Sequence, residues 1–164
     1  MYNQRRAECE RVVGHFGVRW LRDVGLDQLE AHWHQLDPVG RLRARHVLTE
    51  NARVERGANL LRAGRIAEFG ALMSASHASS RDDFANSAPA LDALIEAAEA
   101  APGFLGGKLS GAGWAGCTVN LVEAGRADDF ASAVVDRYAR RTGTIPDVHI
   151  CRAADGASAR TAAH

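Results

Sequence analysis

Apolar positions recur at helical spacing through the first two thirds of the chain and then switch to alternation. Cys9, Val12, Val13 and Phe16 stand at i, i+3, i+4 and i+7, the stripe of an amphipathic helix that Asn3 can cap and Gly17 can stop. A shorter helix is predicted with Leu26, Leu29, Trp33 and Leu36 on one side. Pro38 suits the first turn of a long helix with the stripe Val47, Val54, Ala58 and Leu61, ended by Arg62-Ala63-Gly64-Arg65. Ile66, Phe69, Leu72 and Met73 face the next helix, and a polar stretch runs from Ser76 to Ser87. Pro89 then opens a helix faced by Leu91, Leu94, Ile95 and Ala98, which Pro102-Gly103 ends.

From there the period changes. Phe104 to Leu109 reads as a short strand, and Cys117 to Val122 alternates, with Cys117, Val119 and Leu121 on one face. A helix through Phe130, Val134 and Tyr138 follows, with Asp128 and Asp129 early and Arg137, Arg140 and Arg141 late, as the helix dipole favours. Asp147 to Arg152 is expected as a third strand, and residues 157–161 as a weak edge strand. The fold class is α+β: a small antiparallel sheet flanked by helices, helix-rich in the N-terminal two thirds. The 164 residues suffice for one domain with a hydrophobic core.

Charge narrows the partners. Twenty basic and twenty acidic side chains cancel, so no net field attracts nucleic acid or a membrane surface. No window is long and apolar enough for a membrane helix, and charged residues follow Met1 where a secretory signal would need an apolar run, so a cytoplasmic location is expected. Cys9, Cys117 and Cys151 are far apart and odd in number, which predicts buried, reduced thiols and no metal site.

The densest candidate chemistry lies in Lys108-Leu109-Ser110-Gly111-Ala112-Gly113-Trp114-Ala115-Gly116-Cys117. Its centre satisfies G-x-G-x-x-G, but a strand follows where a dinucleotide site needs a helix, and no Gly-Lys-Ser/Thr closes a phosphate loop. Closely spaced glycines let backbone approach a ligand or another loop; they equally suit a tight hairpin, and both readings stay open. His46 and Glu50, at i, i+4, read as a surface pair. His77, Arg81, Asp82 and Asp83 read as helix capping and solvated loop.

Taken in order, these segments resemble the C-terminal portion of galactokinases, members of the superfamily that includes homoserine and mevalonate kinases. Tyr2-Asn3-Gln4-Arg5-Arg6-Ala7-Glu8-Cys9 is similar to that family's Y-N-x-R-R-x-E-C, and Ser76-His77-Ala78-Ser79-Ser80-Arg81-Asp82-Asp83 to its S-H-x-S-L-R-D-D. Leu21 to Val24, Arg43 to Glu50 and Pro89 to Asp92 fit as well, and Lys108 to Cys117 looks like its third motif, R-M-T-G-G-G-F-G-G-C.

The resemblance implies transfer of the ATP γ-phosphoryl, with Mg²⁺, to the anomeric hydroxyl of galactose. It implies that Tyr2 contacts the sugar, and that Ser110, Gly111, Ala112, Gly113 and Gly116 border the phosphate and substrate cleft. The family's catalytic Asp and phosphate loop lie upstream of the position matching Tyr2. Residues 1–164 are therefore expected to be a galactokinase-like C-terminal domain without the N-terminal catalytic and ATP-binding half. No catalytic residue and no metal ligand is expected, nor tight binding of ATP or Mg²⁺; a separately encoded N-terminal half is a candidate partner. The rival expectation is a stand-alone ligand- or protein-binding module. Ala112 and Ala115 replace usual glycines and Trp114 a usual Phe; an alanine at positive φ costs about 1 kcal/mol or more, so these alanines sit at negative φ or the loop is reshaped.

Overall fold

The structure, a computed structural model, describes residues 1–114 and 116–156. Six helices and two strands follow one another as α1 (Tyr2–Phe16), α2 (Leu26–Ala31), α3 (Pro38–Arg62), α4 (Ile66–Ser79), α5 (Pro89–Glu99), β1 (Phe104–Ser110), β2 (Cys117–Val122) and α6 (Ala127–Thr142). The punctuation residues act as their chemistry dictates. Gly17 ends α1 at φ 63°, and the Asp37 carboxylate accepts from the Val39 and Gly40 N–H groups while Pro38 opens α3. Pro89 starts α5. The first helix begins two residues earlier than an Asn3 cap would place it, with Met1 at the cap position.

Two apolar clusters form. Val12, Leu21, Val24, Leu29, Leu36, Ala44 and Leu48 join α1, α2 and α3, and Ala93, Ala97, Ala98, Phe130, Val134 and Tyr138 join α5 to α6. The α+β class holds, with β1 and β2 paired antiparallel, Ser110 opposite Cys117 and Phe104 opposite Val122. Helix α4 packs against α3 and against β1. Its Gly70 meets β1 backbone to backbone: a Cβ on Gly70 would overlap the Leu105 carbonyl, and one on Gly106 the Gly70 carbonyl.

Three expectations need correction. Asp147 to Arg152 forms no strand, and Val148 and Ile150 are 38% and 54% exposed; alternation marks compatibility with a sheet, while a strand also needs a neighbour to take its hydrogen bonds. The possible edge strand at 157–161 lies outside the described residues. The face of α3 is also rotated: Gly40, Arg43, Ala44, Leu48, Gly57 and Leu60 are buried, whereas Val54 and Leu61 are exposed. Val54, Ala58 and Leu61 instead line one wall of an open groove of about 350 Å³, with Phe69, Leu72 and Met73 of α4 on the other. Finally, Cys117 and Cys151 are exposed and only Cys9 is partly buried, because the first two lie on the unpacked rim of β2 and on the segment that forms no strand.

Candidate functional site at the glycine-rich turn

The turn between β1 and β2 does not stand free. Gly113, at φ 85°, lies so close to the Asn86 carbonyl that any Cβ would overlap it. The Trp114 N–H donates to that same carbonyl at 2.7 Å, and Asn86 Nδ2 donates to the Ala112 carbonyl at 3.1 Å. Trp114 Nε1 reaches the Ala85 carbonyl at 3.2 Å. Both readings left open by the sequence hold: β1 and β2 pair as a hairpin across the turn, and the turn makes a close approach to another loop. The Trp114 N–H is occupied and drops out of any anion-binding set, while Cβ atoms on Gly111 and Gly116 would point into open space. Ala112 is not among the described residues at positive φ, which answers the concern raised by its substitution; Ala115 lies outside the described residues.

The loop that receives the turn follows α4. Ser80–Phe84 forms one π-helical turn, closed by Ala85 at φ 52° and by the Asn86 N–H donating to the Ser80 carbonyl at 3.1 Å. Helix α3 holds it from behind. The Arg43 guanidinium donates to the Asp83 carbonyl, and Arg45 grips the Asp83 carboxylate through two nitrogens, with Nε at 3.0 Å. Arg43 can be buried because Glu8 of α1 lies 2.6 Å from its Nε, and Arg5 Nη1 caps the same Glu8 carboxylate at 2.5 Å. Burial alone would raise the Glu8 carboxyl; the bonds and charges of Arg43 and Arg5 outweigh it and hold it below the ordinary carboxylate range. Arg5 Nη2 then reaches the Ala85 carbonyl at 3.5 Å.

Histidines line the inner side. The Leu109 N–H donates to His77 Nδ1 at 3.3 Å, which places the ring proton on Nε2, 3.5 Å from the Asp92 carboxylate that Ser87 also bonds at 2.6 Å. Burial lowers the His77 pKa against the opposing pull of Asp92. His46 Nδ1 lies 2.9 Å from Ser79 Oγ, which bonds Asp83 at 3.3 Å, and the ring stacks on Phe84 with centroids 4.6 Å apart. Burial lowers its pKa too. His46 and Glu50 do not form the expected surface pair: Glu50 instead takes Arg53 at 2.7 Å and Ser76 at 2.6 Å. The Ser76 to Asp83 cluster is likewise no solvated loop, since Ser76, His77, Ser79, Ser80 and Asp83 are buried and only Arg81 and Asp82 are exposed.

Tyr2 opens α1 one helical turn before Arg5, with its side chain 68% exposed. The expected site residues thus fall on two elements, α1 and the glycine turn, that both contact Ala85. Arg5, Ala85, Asn86 and Trp114 make that connection. Sequence reasoning passed over their pairing because an alanine gives no sign of left-handed backbone. Among the described residues no cluster of His, Cys, Asp or Glu is fit for a metal ion. Of the carboxylates on the loop that receives the turn, Asp83 is paired with Arg45 and Asp82 with Arg81.

The chain thus carries a strand–glycine turn–strand unit packed under helices, with the turn seated on the loop that follows Ser76-His77-Ala78-Ser79. Residues 58–140 match the family described as GHMP kinases C terminal, and the chain belongs to that family. Within it the sequence is similar to galactokinases. It is 47% identical over 160 residues to a galactokinase of Roseiflexus sp. (strain RS-1), covering 94% of this chain and 41% of that protein. It is 42% identical to a galactokinase of Pasteurella multocida (strain Pm70), covering 96% of this chain and 42% of that protein. The crystal structure of Lactococcus lactis galactokinase complexed with galactose superposes with a TM-score of 0.83 at 32% identity, over 88% of this chain and 38% of that one. The chain spans about two fifths of the length of the curated relatives it matches.

Proposed function

We propose that residues 1–164 form one domain that serves as the C-terminal part of a galactokinase, which moves the γ-phosphoryl of ATP to galactose and yields galactose 1-phosphate. The observation that supports this reading is the meeting of the Tyr2 helix and the glycine-rich turn at Ala85, so that the two elements carrying the proposed site residues share one frame. In this reading Tyr2 touches galactose, and Ser110, Gly111, Ala112, Gly113 and Gly116 border the cleft. ATP and Mg²⁺ are held chiefly by the remainder of the enzyme, whether joined to this chain or encoded apart. No helix of the described residues is long and apolar enough to cross a membrane, and a cytoplasmic location fits the substrate and the nucleotide.

The 164 residues alone are proposed to be inactive. Phosphoryl transfer needs metal, phosphates and acceptor hydroxyl aligned together, and Asp82 and Asp83 on the loop that receives the turn are already engaged by arginines. The test is galactose-dependent ADP release with the chain alone, and with the chain mixed with the part of the Roseiflexus galactokinase that it does not match. Silence alone and turnover in the mixture is the expected result. Turnover by the chain alone, lost in Gly113→Val, would refute the inactivity; absence of turnover in a mixture that forms a stable complex would refute the galactokinase reading.

A further inference from the structure

Ala85 and Trp114 are the two non-glycine residues of the described chain with positive φ, at 52° and 59°, and they are bonded to each other. Left-handed backbone is sterically disfavoured for residues that carry a Cβ, and it persists only where the surroundings over-determine it. Here donors from three other elements grip three carbonyls of one loop: Arg43 of α3 at Asp83, Arg5 of α1 at Ala85, and Trp114 at both Ala85 and Asn86. The Ala85 carbonyl is the shared point. It accepts from the α1 side and from the glycine-turn side at once.

We propose that Trp114 is a positioning residue of the candidate site, and that Arg5 acts with it through the Ala85 carbonyl, so that the glycine turn and the Tyr2 end of α1 are set as one unit. Neither residue reaches a ligand in this role. Trp114 holds Gly113 against Asn86 from within, which leaves the Gly111 and Gly116 side of the turn open. The indole N–H matters because a ring without a donor would fill the same space and leave Ala85 bonded from one side alone. Arg5 brings a second constraint: its Nη1 is tied to Glu8, so the guanidinium that reaches Ala85 is held by the same carboxylate that holds Arg43.

This inference rests on the galactokinase reading only in calling the turn a cleft element; the coupling itself is a property of this chain and is measured without turnover. In ¹⁵N-labelled protein three indole N–H signals belong to Trp20, Trp33 and Trp114, and Trp114→Phe assigns the third. In Arg5→Met, the Trp114 indole signal is expected to shift and its solvent exchange to quicken about threefold or more, the scale of one weakened hydrogen bond, with Trp20 and Trp33 unmoved. Reciprocally, Trp114→Phe is expected to shift the Arg5 Nε signal, since coupling between two sites acts in both directions. That second variant leaves the Glu8 ion pairs intact and decides the matter if Arg5→Met does not fold. An unchanged Trp114 signal in folded Arg5→Met, or an unchanged Arg5 Nε in Trp114→Phe, overturns the proposal. Coupling without turnover in a reconstituted mixture that forms a stable complex would overturn the kinase reading instead.

Discussion

Gly113→Ala should cost far more stability than Gly111→Ala, although both replace a glycine of the same turn at nearly the same φ, 85° against 78°. A Cβ at φ near these values costs about 1–2 kcal/mol at either site. At Gly111 the added carbon meets nothing within 4 Å, so the backbone term is the whole effect. At Gly113 it overlaps the Asn86 carbonyl and must push the turn off its seat. That breaks the Trp114 N–H bond to Asn86 and the Asn86 bond to Ala112, each worth about 1 kcal/mol net. The sum is about 3–4 kcal/mol at Gly113 against about 1–2 at Gly111. Urea unfolding followed by far-UV circular dichroism, with equal slopes for the two variants, measures the difference. Equal losses, or a larger loss at Gly111, would refute the seating of the turn on Asn86.

Three further outcomes are expected. Glu8→Ala strands the buried Arg43 charge, with both side chains 7% exposed, and should cost about 3–5 kcal/mol in the same unfolding assay; a loss under 1 kcal/mol would mean water already reaches the pair. His46 and His77 titrate below the ordinary imidazole value of about 6.5, so the unfolded chain binds protons first on acidification. Stability that is fully present above about pH 6.5 should therefore fall as pH drops below it, with a second fall below about pH 4.3 as Glu8 takes up its proton; a melting temperature flat from pH 7 to 5 would contradict this. Cys117 and Cys151 should react at once with a thiol reagent and Cys9 slowly, because burial raises the Cys9 thiol; three equal rates would disprove the assignment.

The residues that declared themselves in the sequence share a local cause. Gly17, Pro38, Pro89 and the stripes of α1, α5 and α6 act within one or two helical turns, and so does the alternation of β2. The glycine-rich turn was legible as strand, turn, strand for the same reason. What escaped depends on distant partners. Arg43 turns inward on α3 because Glu8, 35 residues earlier, neutralises it, and a window along α3 sees only a charged residue off the apolar stripe. Ala85 takes left-handed backbone because Trp114, 29 residues later, and Arg5, 80 residues earlier, hold its carbonyl. Val148 and Ile150 have a strand's pattern without a strand's neighbour among the described residues.

The direct backbone contact of Gly70 with Gly106 also governs how the domain can vary. Elsewhere in a core, a lost methylene on one side can be matched by a gained one on the other, and the sequence drifts while the volume is kept. At this point between α4 and β1 there is no side chain to trade, since a Cβ on Gly70 would meet the Leu105 carbonyl and one on Gly106 the Gly70 backbone. Any substitution at either position pries helix from strand, and no change at the other glycine makes room for it. The contact also lacks a layer of rotatable groups that could absorb displacement, so a shift of α4 passes to β1 undamped. In mechanical terms helix and strand form a stiff lever, and its end is the glycine-rich turn.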